Sequence, residues 1–297
     1  MQPTKLERLA RGWELSLRVE QKSPRTISRY LQDLGYLTSW PKLPPDPKDI
    51  SPATIREFLL DLQEAHAPST VRSTLLAISL CCRFLVNEGE LDSNPAQNIK
   101  SPRVPIEPQP TYSKSDVEAL RMVRSVRTAE GVRDRALILT LFSTGVRLGE
   151  LLSMNVDPDR QRFTVSGKTG SREVPLGSKL ALELDRYLRR WGLTTEAPIW
   201  RSLRDSKPLT GNGVLQIVRR LCTKAGIENK GIHAFRRSFA VAFKRRSIEL
   251  GVGGDSDLME IAGWKSVTML RRYTASEANT LAHQAFAKLD PADSLAV

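Results

Sequence analysis

Apolar residues in the first hundred positions recur every three or four residues, the spacing of helices with one buried face. Leu6, Leu9, Trp13 and Leu17 form one such stripe, and Ile27, Tyr30, Leu31 and Leu34 form another after the start signal Ser23-Pro24. The break Pro41-Lys42-Leu43-Pro44-Pro45-Asp46-Pro47 separates them from a third helix opening at Ser51-Pro52, where proline suits the first turn. Ser69 is placed to cap a fourth helix carrying Val71, Leu75, Ile78, Leu85 and Val86. The pattern predicts a small all-α domain over residues 1–100.

Four prolines then fall within ten residues, Ser101 to Pro110, a composition that gives an extended, semi-rigid connection. Residues 101–112 are set as an interdomain linker. Ser113-Lys114-Ser115-Asp116 nearly matches a capping box and starts a second, mostly helical domain over residues 113–276. Its clear β signal is a pair of alternating runs, Arg162 to Ser166 and Ser171 to Leu176, about the turn Gly167-Lys168-Thr169-Gly170. In residues 277–297, Leu281, Ala285, Phe286 and Leu289 make an apolar stripe on a terminal helix. The expected fold is mainly α with a small β-hairpin or sheet, in two domains, the second mixed α/β.

With 297 residues, of which 40% are hydrophobic, the chain can bury a sizeable core. Lys and Arg number 45 against 33 Asp and Glu, a net charge of +12, which favours a polyanionic partner and nucleic acid first. The basic residues are spread through periodic segments and are not gathered in a tail, so a folded basic protein is expected. Cys81 and Cys82 are adjacent in an apolar run and Cys222 is alone, which excludes a metal set or disulfide framework and suits a reduced, cytosolic protein. The N-terminus lacks an apolar signal core and no run of about 18 apolar residues occurs, so neither membrane nor secretion is expected.

Three stretches carry candidate chemistry: Thr144-Gly145-Val146-Arg147-Leu148-Gly149-Glu150, the run Gly231 to Ala240 containing His233 and Arg236, and the run Gly263 to Tyr273 containing Trp264. Displacement at a phosphodiester builds charge on two non-bridging oxygens, and arginine is the side chain best suited to clamp them. Arg147 and Arg236 are the candidate clamp. Arg147 reads as part of an apolar helix, with Glu150 three residues on and able to orient it from the same face; a purely structural pair is the plainer alternative. His233 and Arg236, three apart on a helix, reach the same side. A phenol with a pKa near 10 needs a base, so Tyr273 is the candidate nucleophile and His233 its base. Lys168, on the hairpin turn, can protonate a leaving oxygen. The Trp264 indole can donate one hydrogen bond but cannot exchange a proton.

These stretches resemble the active-site boxes of the tyrosine recombinases, the phage-integrase family of DNA breaking and rejoining enzymes. The resemblance runs through essentially the whole chain and is strongest from Asp134 to Tyr273. It implies a site-specific recombinase that works through a 3′-phosphotyrosine intermediate without metal, ATP or other cofactor. Arg147, Lys168, His233, Arg236, Trp264 and Tyr273 would form the catalytic set, with Trp264 where many members carry a second histidine. The same resemblance implies a helical, SAM-like core-binding domain, a C-shaped clamp on double-stranded DNA crossover sites, and a homo-tetramer whose C-terminal tails exchange between protomers.

The core-binding helices start almost at Met1, which leaves no room for an arm-binding domain. A simple phage or mobile-element integrase in the bacterial cytoplasm is therefore expected, with room for an accessory excision factor. DNA contacts are expected from Arg25, Thr26, Arg29, Arg72, Ser73 and Thr74 at two helix starts, and from Thr210, Asn212, Arg219 and Arg220 on a helix entering the major groove. Competing readings are a Xer-type recombinase resolving chromosome or plasmid dimers, a catalytically idle DNA-binding regulator on the same fold, and a type IB topoisomerase.

Overall fold

The computed structural model describes residues 4–104, 109–157, 162–167, 170–193 and 198–289. The chain divides into two compact units, Met1–Ile106 and Glu107–Val297. In the first, α1 (Lys5–Val19) opens on a capping box between Thr4 and Glu7, and α2 (Pro24–Thr38) and α3 (Pro52–Ala65) open on Ser23 and Ser51, each followed by proline. The fourth helix, α4 (Pro68–Asn87), begins earlier than Ser69 suggested: Ala67 is its cap and Pro68 its first residue. Alanine at the cap carries no side-chain acceptor for the N–H groups of the first turn, so the helix starts without a side-chain cap.

The α4 helix is long and apolar enough to cross a membrane by composition, with a mean hydropathy of 1.4. Its apolar face instead fills the unit's core, where Val71, Leu75, Ile78, Cys81 and Leu85 meet Trp13, Leu17, Ile27, Leu34 and Phe58. Beyond α4, Asn94 Nδ2 donates to the Ser79 carbonyl at 3.0 Å and folds the chain back onto the helix.

The second unit runs α5 (Lys114–Met122), α6 (Ala129–Thr144), α7 (Leu148–Leu152), β1 (Asn155–Asp157), β2 (Arg162–Gly167), β3 (Gly170–Pro175), α8 (Ser178–Trp191), α9 (Gly211–Ala225), α10 (Ile232–Leu250), α11 (Asp255–Ala262), α12 (Val267–Thr274) and α13 (Ala278–Leu289). The expected capping box at Ser113 and Asp116 is present. The expected hairpin is extended by one strand into an antiparallel sheet of order β1-β2-β3, pairing Val156 with Phe163 and Phe163 with Val174. Val156, Phe163, Val165 and Val174 face the core, while Thr164 and Glu173 face solvent.

At the centre lies α6, with Ala136, Leu137, Ile138 and Leu141 fully buried. A second, smaller cluster of Phe239, Leu258, Ala262, Trp264 and Leu270 draws α10, α11 and α12 together. The terminal α13 lies on α10 of the same chain: Leu281 is buried, Lys288 Nζ donates to the Ile248 carbonyl at 2.8 Å, and Phe286 and Leu289 stay 59% and 73% exposed.

Candidate active site

The α6 helix stops at Gly145, whose backbone is left-handed (φ 59°) and where a side chain would sit 2.5 Å from Phe239 Cδ1. Only glycine fits that turn. The chain then reverses, and Arg147 takes the N-cap of α7 with an extended backbone. Arg147 therefore stands between two helices and not inside an apolar one, because the glycine stop breaks the helical run that its neighbours suggest.

The expected pairing with Glu150 is present but arises from cap geometry. The Arg147 backbone N–H donates to Glu150 Oε2 at 2.8 Å and Arg147 Nη1 to Oε1 at 2.7 Å. Glu150, 2% exposed, also accepts a second guanidinium: Arg172 of β3 donates Nη1 to Oε1 at 2.8 Å and Nη2 to Oε2 at 3.0 Å. Burial pushes the Glu150 carboxyl up, but hydrogen bonds from Arg172 and Arg147 outweigh it and hold the pKa at about 2.

Helix α10 opens at Gly231 and carries His233 in its first turn and Arg236 one turn later. Arg236 is 1% exposed; its Nη1 donates to the Gly145 carbonyl and its Nη2 to the Ala262 carbonyl, both at 2.5 Å. Its Nε has no partner among the described residues. Burial first and the nearby Arg147 second lower the guanidinium to about 10, so it stays charged at neutral pH. His233 is exposed by area yet partly desolvated, and burial, then Arg237, Arg236 and Arg147, push its pKa below the ordinary histidine value. The ring is therefore neutral at pH 7.

Helix α11 ends on Gly263 (φ 65°), where a side chain would press on Arg172 at 3.1 Å. The next residue, Trp264, is buried and stacks on Tyr273 of α12, with ring centroids 4.8 Å apart and planes at 18°. The Arg236 guanidinium carbon lies 5.1 Å from the Trp264 ring centre and 5.6 Å from that of Tyr273. Trp264 Nε1 has no partner among the described residues, and Tyr273 is half-buried. Arg147, Glu150, His233, Arg236, Trp264 and Tyr273 are thus gathered from three separated stretches of chain. Lys168 lies outside the described residues.

Three contributors escaped the sequence reading. Gly145 and Gly263 supply the close approaches just described. Arg172 shares a strand face with the buried Val174, and an arginine on the inward face of an alternating strand is the signal that could have found it.

The DNA-contact candidates divide. On α9, the Thr210 hydroxyl caps the helix by accepting from the Gly213 N–H at 3.1 Å, and Asn212, Arg219 and Arg220 are exposed. In the first unit Arg25 and Arg72 are exposed, and Thr26 shares a hydroxyl contact with Ser23 at 2.8 Å. Arg29 spans two helices, donating to Asp33 Oδ2 and Ser73 Oγ at 2.9 Å each. Thr74 is fully buried in α4 and faces the core, so it leaves the solvent-facing set.

Residues 114–280 match the family described as the phage integrase family. Over 271 residues the chain is 31% identical to a tyrosine recombinase XerC of Myxococcus xanthus, covering 85% of this chain and 87% of the relative. Two solved structures share the fold. A Tn1549 transposon integrase in complex with transposon right end DNA matches with a TM-score of 0.75 at 15% identity, covering 97% of this chain and 99% of that one. A lambda integrase tetramer bound to a Holliday junction matches with a TM-score of 0.72 at 17% identity, covering 92% and 78%.

Proposed function

The chain belongs to the phage integrase family of tyrosine recombinases, and from that premise we propose that it cuts and rejoins DNA at specific sites through Tyr273. The observation that carries the role of Tyr273 is its stacking on Trp264 beside the buried Arg236. The Tyr273 oxygen attacks the phosphorus, forming a 3′-phosphotyrosine ester as the bond to the 5′ oxygen breaks. His233, neutral at pH 7, takes the phenol proton, and Lys168 gives one to the departing 5′ oxygen.

Arg147 and Arg236 hold the non-bridging oxygens, whose charge grows as the phosphorus becomes five-coordinate. The Arg236 Nε–H and Trp264 Nε1–H, buried without partners among the described residues, are donors that such oxygens satisfy. One ester replaces another, so the strand can be resealed by the reverse displacement without ATP.

The helical residues 1–100 and the catalytic residues 113–276 grip a double-stranded crossover site, and four copies synapse two such sites, with residues 277–297 reaching between protomers. The setting is phage or mobile-element integration and excision in the bacterial cytoplasm. The XerC relative at 31% identity favours a second setting, resolution of chromosome or plasmid dimers. The chemistry is tested with a nicked suicide substrate. The unmodified protein should leave a covalent adduct, and Tyr273→Phe should bind the same DNA and leave none; an undiminished adduct would exclude Tyr273 as nucleophile.

A further inference from the structure

Two arginines share the Glu150 carboxylate, and they share it unevenly. Arg172 forks onto both oxygens, while the Arg147 side chain reaches only Oε1. The third Arg172 donor, Nε, holds the Ile261 carbonyl at 3.1 Å. That carbonyl precedes the one of Ala262, which holds Arg236, and the Arg172 side chain lies against Gly263, just before Trp264. One guanidinium therefore ties strand β3, the start of α7 and the end of α11.

We propose that Arg172 is a positioning residue for strand cleavage: by saturating Glu150 it leaves the remaining donors of Arg147 for the phosphate, and by holding the Ile261 carbonyl it fixes the segment that orients Arg236 and Trp264. The inference rests on the recombinase reading above. Arginine has five N–H donors, and Arg147 spends a single Nη1 contact on Glu150. Without Arg172 a buried carboxylate loses two hydrogen bonds, which is costly, and Arg147 is the adjacent cation able to swing onto both oxygens. Such a swing withdraws it from the substrate.

The test compares the full-length protein with Arg172→Met and Arg172→Lys in single-turnover adduct formation, DNA binding and thermal melting. Arg172→Met is expected to slow cleavage roughly 10- to 100-fold, as misplacement of a clamp does, while binding changes by less than about threefold. Arg172→Lys, charged but unable to fork, should also be slowed.

The ratio of cleavage to binding separates positioning from bulk stability, because a loss of fold lowers both together. Unchanged cleavage, or cleavage and binding falling in proportion, would overturn the inference. If Arg172→Met does not fold, Arg172→Lys is judged by the same readouts. Absence of any adduct from the unmodified protein is a separate outcome; it removes the recombinase reading and this inference with it.

Discussion

His233 can act as a base only while its ring is neutral, and its surroundings see to that. Burial and the charges of Arg237, Arg236 and Arg147 all disfavour the imidazolium, so its pKa in the folded protein lies below the ordinary value of about 6.5. The neutral base is present above that lowered pKa and lost as the pH falls through it. Arg237 is the largest of the charges acting on the ring, so Arg237→Ala should move the acid limb of single-turnover cleavage upward in a profile from about pH 5 to pH 8. A limb that stays in place would mean that His233 does not govern the step.

Glycine gives a second contrast at this scale. Gly145 combines a positive φ with a 2.5 Å approach to Phe239, whereas nothing lies within 4 Å of a side chain added at Gly149. In urea denaturation, Gly145→Ala should cost at least about 2 kcal/mol through left-handed strain and overpacking. Gly149→Ala, inside a helix, should be neutral or stabilising by up to about 1 kcal/mol.

What was legible at the level of elements followed from how local its cause is. Ser23, Ser51 and Ser113 cap helices because a hydroxyl satisfies an N–H two or three residues away, a relation contained in a few letters. The start of α4 was misread because Pro68, not the tempting Ser69, sets it. Strand β1 has three residues, too few to display an alternation. The boxes around Arg236 and Tyr273 could be read as motifs, but the placement of Arg147 between helices and the Arg172 bridge depend on contacts between distant segments.

The terminal helix shows the same division: its stripe was legible, its use was not. Leu281 is buried and Phe286 exposed, so only the start of the stripe is spent on the helix's own subunit. Leu281→Ala should loosen α13 by about 2–4 kcal/mol, seen as faster amide hydrogen exchange across Ala278–Leu289. Phe286→Ala should leave that exchange unchanged in the isolated chain. Equal effects would mean that Leu281 does not anchor the helix.

For the molecule as a whole, a net charge of +12 is a statement about DNA only if the charges that face the duplex can be told from those spent internally. Arg172 and Arg236 are internal, and Arg29 is partly compensated by Asp33, whose side chain is 2% exposed. Arg25, Arg72, Arg219, Arg220 and Lys224 are exposed on their helices and are the proposed phosphate contacts. Each neutralised phosphate releases condensed counterions, and about five such contacts give a slope near −4.5 in a plot of log binding constant against log salt.

Arg219→Ala combined with Arg220→Ala should flatten that slope by roughly 1.8, and Arg29→Ala by less than Arg72→Ala because part of its charge is already answered. Tyr273→Phe, which removes no basic side chain, should leave the slope where it was. Titrations of the crossover site at several salt concentrations measure all four. If the α9 double variant keeps the full slope, that helix does not lie on the phosphates, and its exposed arginines serve only as a solvated face.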